Sequence, residues 1–143
     1  MSESIVVGTD GSATAKRAVA EAVRFAKALD AEVHVVSAYE ARDIRVQSAS
    51  GTALPTMIDD GNVDAKLAEA AASASAEHIV VRTHAVRSDP ADALIDVANR
   101  VGATMIVIGS QGMHGARRVL GSVPNSISHK ARCNVLIVST DPD

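Results

Sequence analysis

The chain has 143 residues, 47% hydrophobic and 22% charged, with a formal net charge of −3. That length and balance fit one globular domain, expected over residues 1–143, and leave little for a second. With only Phe25 and Tyr39 as aromatic residues and no basic run, the composition argues against nucleic acid or an anionic membrane as partner. Cys133 stands alone, so no internal disulfide can form. No apolar stretch reaches the length of a membrane span, and the N-terminus lacks a basic segment followed by a long apolar one; a cytoplasmic location is expected.

Ser4–Val7 is a short apolar run ending at Gly8 and reads as a buried strand. Ser12 is placed to cap a helix running to about Leu29, with Ala15, Val19, Ala22, Ala26 and Leu29 on one face. Valine-rich Glu32–Tyr39 reads as a second strand. From Glu40 to about Gly61 the periodicity is lost among Ser, Gly, Thr and Pro55, which predicts a long loop, a candidate lid over a ligand. A helix over Val63–Ala76 and a third strand over His78–Val86 follow. Asp89-Pro90-Ala91-Asp92 is a helix start, with a capping carboxylate, proline at the first position and negative charge in the first turn; Gly102 ends that helix. Thr104–Ile108 reads as a fourth strand. The glycine-rich stretch Gly109–Gly121 leads to a helix over Ser122–Ala131, and Val135–Val138 closes the series as a fifth strand.

Strands and helices alternate, and the strands are apolar throughout instead of at every second residue. This predicts a doubly wound, five-stranded parallel sheet with helices on both faces, an α/β fold. In such sheets ligands lie at the carboxyl ends of the strands where the strand order reverses. Two glycine-containing turns follow buried strands: Gly8-Thr9-Asp10-Gly11-Ser12, and Gly109 to Gly115 continuing to Gly121-Ser122-Val123-Pro124-Asn125. Glycine allows close approach of backbone to phosphate, and the amides opening a helix at Ser122 would attract an anion. Such turns also occur in doubly wound folds with no ligand, and an acidic residue such as Asp10 often only caps its turn. No Gly-Lys-Ser or Gly-Lys-Thr follows a strand, so this is no P-loop.

Gly109-x-x-Gly112, a short stretch, then Gly121-Ser122 resembles the nucleotide-binding motif of the universal stress protein family. The resemblance runs the length of the chain, through VVGTDGS, EVHVVSAYE, DPADAL and LGSVPNSISHKARCNVLIV. It implies an adenine nucleotide alpha hydrolase-like, Rossmann-like fold that binds an adenine nucleotide, ATP ahead of AMP or cyclic AMP, with Mg held through the phosphates. It implies roles residue by residue. Gly8, Thr9 and Asp10 lie under base and ribose, and Ala38 offers its backbone to the adenine edge. Ile108 packs on the nucleotide, Gly109 and Gly112 bring amides to ribose and phosphate, and Gly121, Ser122 and Val123 hold the phosphates. Two departures stand out. The segment Met113–Leu120 is one residue shorter than in the nucleotide-binding branch, and Ser88 stands where relatives often have glycine.

The resemblance further implies a homodimer through the last strand and a regulatory role in stress response. A stress protein acting only through protein contacts is the alternative. No nucleophile–base pair or metal-ligand spacing is evident, so no catalytic residue and no protein metal site are expected, and enzyme activity would be at most slow ATP hydrolysis or autophosphorylation. His34, His78 and His84 read as structural or surface histidines, and Cys133 as a buried small residue.

Overall fold

The computed structural model describes residues 3–39, 42–47, 53–58, 63–75, 78–110, 113–114, 117–118 and 122–139. Its elements in chain order are β1 (Glu3–Gly8), α1 (Ala13–Leu29), β2 (Ala31–Tyr39), β3 (Arg42–Gln47), β4 (Ala53–Ile58), α2 (Val63–Ser75), β5 (Val81–Arg87), α3 (Pro90–Val101), β6 (Met105–Gly109), β7 (Met113–His114), β8 (Arg117–Arg118), α4 (Ser122–Lys130) and β9 (Asn134–Val138).

Five strands form an all-parallel sheet in the order β5-β2-β1-β6-β9. The predicted fold class is thus observed. Alternate residues of each strand face opposite sides, so β1 splits its buried run between two cores. Ile5 and Val7 pack with Ala18, Val19 and Ala22 of α1 and Leu67 and Ala70 of α2. Val6 packs with Leu94 and Val97 of α3 and Ile127 of α4. Burial on both faces explains why the strands read as continuous apolar runs. The many alanines let α1 and α3 lie close on the sheet: Ala18, Ala22 and Ala93 are fully buried.

Helix ends follow the local chemistry. Ser12 Oγ accepts from the Ala15 amide at 3.1 Å, and Asp89 Oδ1 accepts from the Ala91 and Asp92 amides at 3.1 and 3.2 Å. Gly102 closes α3 in the left-handed region (φ 64°, ψ 45°), its amide returning to the Ala98 carbonyl. A Cβ there would meet nothing within 4 Å, so only the dihedral opposes a side chain. Gly102→Ala is therefore expected to lower the unfolding free energy by about 1 kcal/mol, measurable by urea denaturation, with no change at the crevice described below.

Four expectations are corrected. Residues 40–61 hold more than loop: β3 and β4 form an antiparallel ribbon with Arg45 opposite Pro55. Ile44 and Val46 alternate with polar neighbours, a strand signal obscured by Pro55, which an edge strand tolerates. The glycine-rich stretch likewise contains the short β7–β8 pair. Leu29, expected on the buried face of α1, is 41% exposed because the helix ends there, with Asp30 in the left-handed conformation. The third strand starts later than expected, at Val81, because His78 takes a positive φ of 60°.

Candidate functional site

β1 leads through α1 to β2 and onward to β5 on one side, and α3 then carries the chain back across to β6 on the other side of β1. The strand order reverses between β1 and β6, so their carboxyl ends part and leave a crevice. Gly8 ends one strand and Gly109 the other, and both line the cavity at this point. The cavity there has a volume of about 130 Å³, about ten times what one water requires. It is large enough for part of a small-molecule ligand.

Gly8, Thr9, Asp10, Ala38, Ile108, Gly109 and Val123, all expected at the site, line this cavity. Gly112 and Gly121 lie outside the described residues, and Ser122 is described as the first residue of α4. The cavity walls also include Val36, Pro90, Leu94 and Pro124, which motif reading missed. Pro90 and Leu94 had a signal in the sequence: they are one helical turn apart in the α3 start, and that start follows the carboxyl end of a strand.

The walls are mainly apolar; among the described residues the polar side chains of the lining are Thr9 and Asp10 on the β1 turn and Thr14 at the start of α1. Thr9 donates its amide to the Val36 carbonyl at 2.9 Å, which ties the turn to β2. Thr9 Oγ1 accepts from the Gly11 amide at 3.1 Å, and Asp10 Oδ1 accepts from the Ser12 amide at 2.9 Å. Asp10 therefore both caps its turn and faces the cavity, so the two readings of this residue are compatible. Partial burial acts to raise the Asp10 pKa, but the hydrogen bonds from Ser12 and the charge of Lys66 outweigh it, and the carboxyl is held below its ordinary value. It is an acceptor at neutral pH, suited to hydroxyl or amine donors.

Opposite this turn, α4 presents its N-terminus, with Val123 and buried Pro124 in the lining. The first amides of a helix have no partner within it and carry the positive end of its dipole. Pro124 has no amide to leave unsatisfied, as suits the first turn. The cavity thus has an apolar slot, an acceptor at one side and a helix N-terminus at the other. That arrangement fits a flat apolar ring, a hydroxylated sugar and an anion.

Gly8 is the floor. A Cβ on it would lie 3.1 Å from Leu94 Cδ1 and 3.3 Å from Cδ2. Gly11 has a φ of 81° and would place a Cβ 2.9 Å from Lys66 Cγ. The lysine stem can swing away, so the dihedral is the larger cost. Gly11→Ala is expected to destabilise by about 1–2 kcal/mol, read as a lower urea midpoint at unchanged slope.

Beneath this turn a second cavity of about 110 Å³ separates α1 from α2. Lys16 reaches Glu69 at 2.8 Å there, both side chains well exposed, and an exposed pair of this kind adds little stability.

Among the described residues, no group of three or more His, Cys, Asp or Glu side chains is placed to hold a metal ion, and no helix is long and apolar enough to cross a membrane.

The fold is a doubly wound α/β sheet with a cavity at its switch point, lined by the glycines that end β1 and β6. The family model for the universal stress protein family matches residues 1–139. A universal stress protein of Mycobacterium tuberculosis, Rv1636, is 36% identical over 96% of this chain and 97% of its own length. Among solved structures, a universal stress protein in complex with cAMP superposes with a TM-score of 0.77 at 32% identity, covering 98% of both chains. The universal stress protein from Archaeoglobus fulgidus in complex with dAMP gives 0.71 at 25% identity, over 94% of this chain and 96% of that one. The chain belongs to the universal stress protein family.

Proposed function

We propose that this protein binds an adenine nucleotide, with ATP ahead of AMP and cyclic AMP, and acts as a regulator in stress response. The observation that carries this reading is the switch-point crevice, whose walls bring the Gly8 and Gly109 turns together around one apolar slot. Adenine would enter between Val36, Ala38 and Ile108, where the backbone of β2 offers its polar edge. Asp10 would accept from the ribose. The phosphates would lie toward the start of α4, with Gly121 and Ser122 as further donors.

Relatives solved in complex with cAMP and dAMP support an adenine nucleoside monophosphate as the ligand class. Each carries one phosphate, and the shortened Met113–Leu120 segment leaves the longer phosphate chain of ATP as the feature to be measured. Mg would enter with ATP, held by phosphate oxygens and water, since Asp10 is the one carboxylate in the lining among the described residues.

We also propose that the chain forms one cytoplasmic domain and pairs with its own copy through β9. Val135, Leu136, Ile137 and Val138 of this strand are half-buried at the edge of the sheet, and an apolar edge favours strand pairing. Light scattering at micromolar concentration is expected to give twice the chain mass; a monomer would remove this part of the proposal. ATP turnover above that of a Gly112→Val control would assign an activity beyond binding.

Calorimetric titration with ATP, AMP and cyclic AMP tests the central claim. Saturable heat from at least one is expected, and no heat from any of them overturns it. Identifying the nucleotide released on denaturing the purified protein would name the resident ligand.

A further inference from the structure

On the sheet face covered by α3, away from the crevice, three titratable side chains form a chain of hydrogen bonds. Glu32 Oε1 lies 2.8 Å from His34 Nε2, and His34 Nδ1 lies 2.9 Å from His84 Nε2. His34 is 2% exposed. The rings are 5.1 Å apart between centroids and tilted by 32°. Glu32 also receives Ser4 Oγ at 3.4 Å from β1, and Arg82 Nε of β5 lies 3.8 Å from its other oxygen. From α3, Arg100 lends its charge to the same neighbourhood while pairing with Asp96 at 3.2 Å.

The hydrogen bonds dictate the proton positions. The His34 bond holds the Glu32 carboxyl below its ordinary pKa, so it is an acceptor throughout the neutral range. His34 must then carry a proton on Nε2, which leaves Nδ1 as an acceptor for Nε2–H of His84. One added proton is accommodated, because one of the two facing nitrogens still accepts. A second added proton puts N–H against N–H at 2.9 Å, beside Arg82 and Arg100, and the bond is lost. Burial first, then the charges of His34, Arg100 and Arg82, depress the His84 pKa below its ordinary value. The unfolded chain therefore binds the extra proton more readily than the native one. Stability is fully present above the ordinary histidine value of about 6.5 and falls as pH drops below it.

The two histidines join β2 to the edge strand β5. His84 stands opposite Val36 in the register, and Val86 opposite Ala38. Val36 takes the Thr9 amide, and both Val36 and Ala38 line the crevice. We propose that the Glu32–His34–His84 chain is an acid-sensitive clasp: double protonation of the histidine pair loosens β5 from β2 and weakens ligand binding in the crevice. The binding half of this proposal rests on the nucleotide reading above; the strand-opening half does not. A metal ion is a poorer occupant of the histidine pair, because two arginines flank it and, among the described residues, no group of three His, Cys, Asp or Glu side chains is placed to hold one.

The test uses the full chain and a His84→Gln variant, whose amide can still donate to His34 but does not titrate. In the absence of ligand, backbone hydrogen exchange over residues 81–87, corrected for intrinsic rates, is expected to be about fivefold less protected at about pH 5 than at about pH 7.5, the loss of roughly one net hydrogen bond. The variant is expected to show no such difference. An equal pH response in both forms overturns the clasp. Imidazole nitrogen NMR of the unaltered protein at neutral pH gives a second reading that needs no variant: both rings are expected with the proton on Nε2, and a proton on Nδ1 of His34 overturns the arrangement. Saturable shifts of both rings on adding Zn²⁺ would also overturn it, in favour of a metal site. With AMP, affinity is expected to fall severalfold more on acidification in the wild type than in the variant. Equal falls would refute the coupling to the crevice. Absence of AMP binding at either pH would instead strike at the nucleotide reading, while the exchange result still decides the clasp.

Discussion

Leu94→Ala is expected to lower the unfolding free energy by about 2–5 kcal/mol, the range for truncating a buried leucine. Leu94 is 3% exposed. It packs with Val6 and Val36 of the sheet and with Ile108 and Ile127 in the core under α3 and α4. Its contacts come from elements far apart in sequence, so they cannot close over the missing methyls by a local adjustment. Leu94 is also a wall of the crevice and the side chain above Gly8. The substitution should therefore widen the slot as well as weaken the core. Urea denaturation measures the first effect. A loss below about 1 kcal/mol would mean that the wall collapses inward and that the crevice is not held open by packing.

Gly8→Val is expected to reduce adenine-nucleotide affinity by tenfold or more, a loss of about 1.4 kcal/mol or greater. A branched side chain at Gly8 starts 3.1 Å from Leu94 Cδ1 and must displace it, and both residues line the slot. Crowding of this kind in a packed core also costs about 1–3 kcal/mol of stability. Gly102→Ala is the control: it sits at the far end of α3, costs stability through its dihedral alone, and should leave the affinity unchanged. A double-mutant cycle identifies the cause. Gly8→Ala alone pushes on Leu94, whereas Gly8→Ala in a Leu94→Ala background has room, so the two changes should couple by about 1 kcal/mol. Additive effects would show that Gly8 acts on the ligand without Leu94.

The elements were legible wherever one local signal dominated. Ser12 and Asp89 cap the helices they were expected to cap, and Gly102 ends α3. Each of these positions is decided by a side chain or dihedral within a few residues of the bond it makes. The ribbon of β3 and β4 was not legible, because half of its evidence lies in the partner strand. Ile44 and Val46 become strand residues only when Thr56 and Leu54 stand opposite them.

The site divides in the same way. Both glycine turns and Asp10 could be marked from the chain, since glycine after a buried strand is a local pattern. Leu94, Pro90 and Pro124 lie outside the motifs, and only the helical spacing of the first two pointed toward the crevice. Their position depends on how α3 and α4 cross the sheet, and packing sets that crossing. The histidines show the limit most plainly. His34 and His84 are fifty residues apart, and each alone is an unremarkable strand residue.

The alternation of strands and helices, the doubly wound class and the family follow from the order of residues, because apolar runs, caps and glycine turns act over a few positions. Tertiary structure alone decided which faces meet. The order β5-β2-β1-β6-β9 opens the crevice between Gly8 and Gly109, and the register of β2 on β5 brings His84 within 2.9 Å of His34. Such distances are set when many weak contacts close together, and no single stretch of chain contains them.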